Sequence, residues 1–340
     1  MYEYILPQVL RAYDPDTFYW PASPSSCGGF DNSNDEKRGD VHCWTIWHGG
    51  VPFTDYRKYH FRFVSEFGFQ SLPCLRTVES FTLPQDCNLF SNVMEKHQRN
   101  NAANGKILNH LSQTFLYPTD FNTLLYASQL LQAEAIRYGV EHWRRSRSRC
   151  MGAIYWQLND CWPVARWSSI DYYGRWKALH YASKRFFAPV LLSCEKEGTL
   201  TQRQNINAEL REEAVERSIR LNVSNETMQP VRALVRRANL YEHYVSYELL
   251  DGNGTLCEGT ALFCAPKHFR FADPHVKVRM EDHALIVSAE AYTRQIELIC
   301  EDGDVWFEDN YFDLNGGERV IRILRGEGTR FSARSVYDIR

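Results

Sequence analysis

Two textures divide the sequence, and they predict an α/β region followed by all-β material. Over the first 190 or so residues, apolar runs of strand length alternate with helical periods, the pattern of parallel βα units. After residue 195, short alternating strands bounded by turn signals take over, which is β-sandwich texture. Tryptophan follows the same division. Trp20, Trp44, Trp47, Trp143, Trp156, Trp162, Trp167 and Trp176 precede residue 180, and only Trp306 follows.

The elements are read in chain order. Residues 1–12 place Ile5, Val9 and Leu10 on one helical face and stop before Asp14-Pro15, because the residue before proline avoids helical backbone. Thr17–Trp20 predicts a short aromatic strand, and residues 21–40 predict a long loop rich in Pro, Ser, Gly, Asn and Asp. Val41–Trp47 predicts a buried strand closed by Gly49-Gly50, and Arg62–Gly68 a second. Pro118-Thr-Asp120 starts a helix running to about Arg149, with Leu124, Leu131, Ile136, Val140 and Trp143 on its apolar positions. Met151–Gln157 predicts a buried strand and 174–187 a helix. In the second texture, Ile219–Val223, Tyr244–Leu250, Leu285–Val287, Gln295–Ile299 and Val320–Leu324 are strand candidates.

Composition excludes several classes. The chain has 340 residues, 44% hydrophobic and 24% charged, enough for two or three domains. A net charge of -3 gives no basic excess for nucleic acid. No apolar run approaches the roughly 20 residues of a membrane helix. The N-terminus lacks a basic segment followed by an apolar core, so no signal peptide is read. The ten cysteines form no CxxC pair, which argues against a zinc site or compact disulfide framework and for reduced thiols in a cytoplasmic protein. No metal or organic cofactor is expected. The basic run Arg144–Arg149 reads as a helix C-terminus with solvated side chains, favoured there by the helix dipole.

Two places carry chemistry. Glu66 sits in Phe63-Val-Ser-Glu-Phe-Gly-Phe69, apolar on both sides and at a strand end. Such an acid is either functional, or a buried structural carboxylate paired with Arg62 or Arg76. Trp156-Gln-Leu-Asn159-Asp160, followed by Trp162, combines rings, amides and an acid at another strand end. Proteins hold sugars that way, stacking rings on C–H faces while polar groups take the hydroxyls; aromatic core packing is the alternative. Trp44, Trp47 and His48 repeat the combination.

These motifs resemble β-mannosidases of glycoside hydrolase family 2. Val41–Pro73, with Trp44-Thr-Ile-Trp47 and Arg62-Phe-Val-Ser-Glu66-Phe-Gly-Phe-Gln70-Ser, is similar to that family's nucleophile region. Gly152–Asp160, Trp162-Pro163 and Trp167–Lys177 resemble the last barrel strand and the segment after it. Asp309-Asn-Tyr-Phe-Asp-Leu314 with Gly316-Gly317 resembles the C-terminal Ig-like domain.

The resemblance implies the C-terminal part of a (β/α)8 TIM barrel, strands five to eight, followed by Ig-like β-sandwich domains. The divisions are 1–190, 195–255 and 256–340. It implies hydrolysis of terminal β-D-mannose with retention, Glu66 as nucleophile, Trp156 against the sugar, and Trp44, Trp47, His48, Gln98, Asn159, Asp160 and Trp162 along the site. His48 stands where relatives carry an aromatic hydroxyl. The family's general acid/base is a Glu in an Asn-Glu pair on the fourth barrel strand, and no such pair precedes Glu66. Asp160 is the only acid in the nearby motifs that could substitute. The chain alone is therefore expected to be weakly active or inactive, and to seek a missing N-terminal half or a second copy. The middle region is short for a sandwich, and Val235–Tyr241 reads as the junction of an internal deletion. The rivals are a non-catalytic carbohydrate-binding remnant and an exo-β-glycosidase for another sugar.

Overall fold

The computed structural model describes residues 1–28, 31–197, 218–240 and 244–339. Its helices are α1 (Ile5–Tyr13), α2 (Thr45–Gly49), α3 (Leu75–Glu79), α4 (Asn92–Lys96), α5 (Ala103–Thr114), α6 (Phe121–Arg145) and α7 (Ala178–Phe186). Its first strands, β1 (Val41–Cys43), β2 (Val64–Phe67) and β3 (Ala153–Tyr155), form one parallel sheet in the order β1-β2-β3.

The expected 41–47 strand is correct only for its first three residues. After Cys43 the chain turns into α2, which sends Ile46 and Trp47 into the core. The aromatic strand at 17–20 is not formed. Phe18 is exposed, while the Tyr19 hydroxyl donates to Tyr2 O and the Trp20 indole to Asp40. Flanking Pro15 and Pro21 lack ladder donors. At 151–157 the strand is present but not buried: Ile154 points away from the core and is 55% exposed. The face of α1 is amphipathic as expected, yet none of its residues is buried.

The longest helix, α6, organises this half. Asp120 caps it by accepting from Thr123 N at 2.9 Å. Leu124, Leu125, Leu130, Leu131, Ile136, Val140 and Trp143 are buried, each worth about 1.5–3 kcal/mol if otherwise exposed. Trp143 packs edge-on to Phe67 of β2, with ring centres 4.8 Å apart. The helix stops at Arg145, before Ser148 takes a positive φ of 80°. Its basic end is at the C-terminus, as read; Arg147 is exposed, but the side chains of Arg144 and Arg145 are largely enclosed. Arg144 donates to Phe186 O at 2.6 Å and pairs with Glu226 at 3.2 Å, and Arg149 donates to His60 O at 2.9 Å.

The remaining strands are antiparallel. β4 (Val190–Glu197) pairs with β5 (Ser218–Asn225), and β6 (Leu234–Leu240), β7 (Tyr244–Asp251) and β8 (Gly254–Leu262) form a meander. Residues 198–217 of the expected middle region lie outside the described residues. So does Tyr241, at the end of the Val235–Tyr241 junction, whose preceding residues lie on β6. A five-stranded sheet follows, from β9 (Lys277–Glu281), β10 (Ala284–Cys300), β11 (Trp306–Phe307), β12 (Phe312–Arg325) and β13 (Phe331–Arg334). The two strands expected at 285–287 and 295–299 are the halves of β10. Register breaks between Ala289 and Tyr292 and between Thr293 and Ile296 bend it. The alternation was interrupted by these bulges and not by a turn.

This last sheet docks on the helices. Tyr126 of α6 donates to Gln295 O at 2.6 Å, and Arg334 of β13 donates to Asn122 O of α6 at 3.3 Å. The hydrophobic core runs from Trp47, Phe67 and Trp143 through to Leu285, Leu298 and Ile339 without a break. Among the described residues no helix is long and apolar enough to cross a membrane.

Two buried histidines give the fold a pH dependence. His110 lies between Trp47 and Phe69, and burial, aided by Lys106, lowers it to about 4; burial also lowers His142 to about 4. Between about pH 4 and 6.5 the unfolded chain binds protons that the folded chain refuses. Stability therefore falls as pH falls through that window. His110→Phe keeps the ring packing, and denaturant melts should show the slope there reduced by one proton, about 1.4 kcal/mol per pH unit.

Candidate active site

Glu66 occupies β2 where the parallel register sets it opposite His42 of β1. Its side chain is about a quarter exposed. The Trp44 indole donates to Glu66 Oε2 at 3.1 Å, and His42 Nδ1 lies 3.4 Å from the same oxygen. Neither Arg62 nor Arg76 is among the described ionic partners of Glu66; Arg76 reaches Asp304 at 3.3 Å. The reading of Glu66 as a structural Arg-paired acid is set aside on this geometry.

Gly68, two residues on, lets the Trp44 and Trp167 indoles and the Trp156 backbone carbonyl converge. A Cβ there would lie 2.7 Å from Trp156 O, 2.8 Å from Trp167 Cδ1 and 3.0 Å from Trp44 Cη2. Trp156 is tied beside β2 by its N–H to Phe67 O at 2.8 Å and remains 43% exposed. Trp44 stands edge-on to Trp167 at 5.9 Å and tilted over His48 at 5.3 Å. His48 is exposed, and partial burial, helped by Lys106, pushes its imidazole below the ordinary value. Glu66, Trp44, Trp156 and His48 therefore share one open surface at the end of the sheet.

Of the other expected site residues, Trp47, Asp160 and Gln98 are engaged away from this surface. Trp47 is fully buried, edge-on to Phe69 and stacked on His110, because α2 turns it inward. It belongs to the core and does not line the surface. Asp160 is also turned inward: Ser168 donates to Oδ2, while Oδ1 is buried without a partner. Burial pushes its carboxyl up against the pull of Lys177, and burial pushes the Lys177 amine down to about 8. An acid so enclosed cannot reach a leaving group. Gln98 is spent on its own loop, donating to Asn104 Oδ1 at 3.1 Å and accepting from Asn100 N at 3.2 Å. Trp162 sits against His97 at 4.8 Å with the Arg99 guanidinium 5.2 Å from its ring centre. Asn159 is exposed, its carbonyl accepting from Gln157 Nε2 at 2.7 Å.

Sequence reasoning missed His42 and Asp40. Asp40 accepts from Trp20 Nε1 at 2.8 Å, from Ser23 at 2.6 Å, from the Ser25 N–H at 2.9 Å, and from Ser65. Burial pushes its carboxyl up, but these donors outweigh burial and hold it below the usual value. The available signal was strand periodicity: His42 and Trp44 are two apart, on the side that faces Glu66. Reading the segment as one buried run hid it. Among the described residues no group of three His, Cys, Asp or Glu side chains is set to hold a metal ion.

Comparison with known proteins finds likenesses along the chain. Residues 271–338 match the Ig_mannosidase family model, an Ig-fold domain. Beta-mannosidase B of Thermothelomyces thermophilus is 28% identical over 389 residues, covering 96% of this chain and 45% of that protein. Beta-mannosidase B of Aspergillus terreus is 36% identical over 202 residues, covering 58% of this chain and 24% of its own length. The crystal structure of a beta-D-mannosidase from Dictyoglomus thermophilum superposes over 98% of this chain and 44% of its own, with a TM-score of 0.76 and 25% identity.

The chain is similar to β-mannosidases. It spans less than half the length of the curated relatives it matches. An exo-chitosanase from Amycolatopsis orientalis shares the fold at 11% identity and a TM-score of 0.54, over 89% of this chain and 45% of its own. The β-mannosidase-like chain thus joins helices and a parallel sheet to an Ig-like sheet, with Glu66 at the sheet's open end.

The crowding at Gly68 is testable. Gly68→Ala forces a methyl against the Trp156 carbonyl, a backbone atom that cannot swing away. Overpacking of this kind costs about 1–3 kcal/mol. Denaturant melts of the variant should show that loss, with a change in tryptophan emission as Trp44 and Trp167 separate.

Proposed function

We infer that the chain carries the nucleophile of a retaining β-mannosidase. The observation that carries this is Glu66, a part-exposed carboxylate at the end of a parallel strand, held by Trp44 and His42 with Trp156 open beside it. The similarity to beta-mannosidases over 96% of the chain supports the sugar. On this reading β1, β2 and β3 are late strands of a (β/α)8 barrel. The divisions near residues 190 and 255 separate it from two Ig-like sandwiches, and the site works in the cytoplasm.

The chemistry follows from a carboxylate so placed. Glu66 attacks the anomeric carbon of a terminal β-mannoside from the face opposite the leaving oxygen. The bond to that oxygen breaks, and its electron pair leaves with it, taking up a proton. A water then gives up a proton, displaces Glu66 from the ester and restores the configuration. Two inversions give retention, and this scheme places the two carboxyls about 5–5.5 Å apart.

The second carboxyl is the open term. Asp160 faces inward, and Glu226 of the one Asn-Glu pair, Asn225-Glu226, is held by Arg144 at 3.2 Å and Arg147 at 3.3 Å. We infer that protonation of the leaving oxygen depends on a group outside this sequence, supplied by a preceding segment or a partner chain. General acid help is worth about 10²–10⁴-fold.

That sets the expected result for the chain alone. A dinitrophenyl β-mannoside, whose leaving group needs no proton, should release phenolate and load a mannosyl ester on Glu66. The poorer nitrophenyl and methyl β-mannosides should react far more slowly, and Glu66→Ala should abolish all three. Mannose released first as the α anomer, seen by proton NMR, or rates indifferent to the leaving group, would overturn the reading. Mannoside binding by calorimetry without turnover, unchanged in Glu66→Gln, would favour the binding-remnant alternative.

A further inference from the structure

The described hydrogen-bond and ionic contacts of the Glu66 carboxylate fall on one oxygen. The Trp44 indole and His42 Nδ1 both address Oε2, at 3.1 and 3.4 Å. Behind His42 the contacts continue: Nε2 lies 2.9 Å from Ser23 Oγ, and Ser23 Oγ donates to Asp40 Oδ2 at 2.6 Å. Asp40 is anchored by Trp20, Ser65 and the Ser25 N–H.

Proton counting fixes the direction of this chain. An ionised carboxylate only accepts, and a serine hydroxyl has one proton to give. Ser23 gives it to Asp40, its shortest partner; the alternative acceptor, Ser65 Oγ, is 3.0 Å away. Ser23 Oγ therefore turns a lone pair to His42, and Nε2 carries the proton that joins them. The ring is pinned at that end, and Nδ1 lies 3.4 Å from Oε2, within ion-pair distance.

We propose that His42 is a positioning residue for Glu66: the Asp40–Ser23–His42 relay and the Trp44 indole clamp Oε2, leaving Oε1 as the oxygen that attacks the anomeric carbon. The proposal rests on the glycosidase reading, since only then is an attacking oxygen at stake. An ionised Glu66 has no proton to give, so a bond to Oε2 requires a proton on Nδ1; with Nε2 also protonated, the ring in the attacking form is an imidazolium cation paired with the carboxylate. As Oε1 bonds to the anomeric carbon, the leaving oxygen departs with its electron pair. Oε2 becomes the ester carbonyl oxygen and still accepts from Trp44. Without the relay the carboxylate can rotate about its terminal torsion, and an error of about 1 Å in an attacking atom costs on the order of 100-fold in rate.

Two measurements test this on the full chain. In the first, 2,4-dinitrophenyl 2-deoxy-2-fluoro-β-mannoside is the probe, its leaving group needing no acid, and ester on the Glu66 peptide is followed by mass. His42→Leu should form ester about 100-fold more slowly at saturating probe, with the half-saturating concentration unchanged. His42→Asn, whose amide nitrogen replaces Nδ1, should recover most of the rate, and Ser23→Ala should lose several-fold. A wild-type rate in His42→Leu overturns the proposal. So does His42→Asn as slow as His42→Leu while melting at the wild-type temperature, because packing alone would then be at work. The second needs no turnover. In ¹⁵N spectra at pH 7, the His42 Nδ1–H and Trp44 Nε1–H resonances should both move in Glu66→Ala, and if neither moves the clamp does not exist. Resonances coupled to Glu66 in a chain that never forms ester would uphold the clamp and overturn the glycosidase reading.

Discussion

Gln132, buried in the middle of α6, holds together the loops on which the site is built. Its Nε2 donates to Phe69 O at 2.8 Å and Trp167 O at 3.0 Å, and its Oε1 accepts from Ser71 Oγ at 2.7 Å. One turn earlier Ser128 accepts from Leu72 N at 3.0 Å, and Gln129 accepts from Ala178 N at 3.1 Å. The backbone just past β2 and the segment at 167–178 have left the sheet and pair only through isolated bridges such as Ser71 with Arg166, which leaves buried groups such as Phe69 O and Leu72 N to be met from α6. A buried carbonyl or N–H left unpaired costs about 1–3 kcal/mol. The helix supplies the partners, and so fixes where the chain goes after Glu66 and where Trp167 stands.

From that constraint the site follows by contact. Phe69 O held on Gln132 sets the path of the chain just past Gly68, and Gly68 has room only for a hydrogen between Trp156, Trp167 and Trp44. Trp44 placed there points its indole N–H at Glu66. The register of β1 on β2 brings His42 to the same carboxylate, and the loop before β1 closes behind it through Ser23 and Asp40. Glu66 is thus positioned by three segments distant in sequence, each locked by its own buried hydrogen bonds.

Much of this was legible in the sequence. The division into α/β and β parts, the span of α6 and the strand carrying Glu66 follow from periodicity and capping, which are local. The aromatic set around Glu66 was legible as residue types, but its membership was not. Trp47 and Trp44 are three apart in one run, and only the turn into α2 sends the first inward and leaves the second at the surface. Asp160 read as an acid of a sugar-binding motif, yet Ser168 and Lys177, both beyond the motif, enclose it. Gln132 gave no signal, since a glutamine in a helix is ordinarily solvated, and its role exists only once Phe69 and Trp167 come to it. The bulges of β10 likewise erased the alternation that would have joined its halves.

The Ig-like sheet is part of the same scaffold and not an appendage. Arg175 grips Asp304 with two bonds, at 2.7 and 2.9 Å, and Trp306 donates to Gly174 O at 2.9 Å. The Arg175 hydrogen bond holds the Asp304 carboxyl below its ordinary value against partial burial. Arg185 of α7 reaches Asp309 and the carbonyls of Asn310 and Tyr311, while Arg319 closes on Asp309 at 3.0 Å from the sheet side. Bidentate arginine pairs of this kind fix direction as well as distance. The segment they grip, 167–177, carries Trp167 at one end and Lys177 at the other. The region matched by the Ig-fold family model therefore bears on the tryptophan that crowds Gly68, and through it on the strand that holds Glu66.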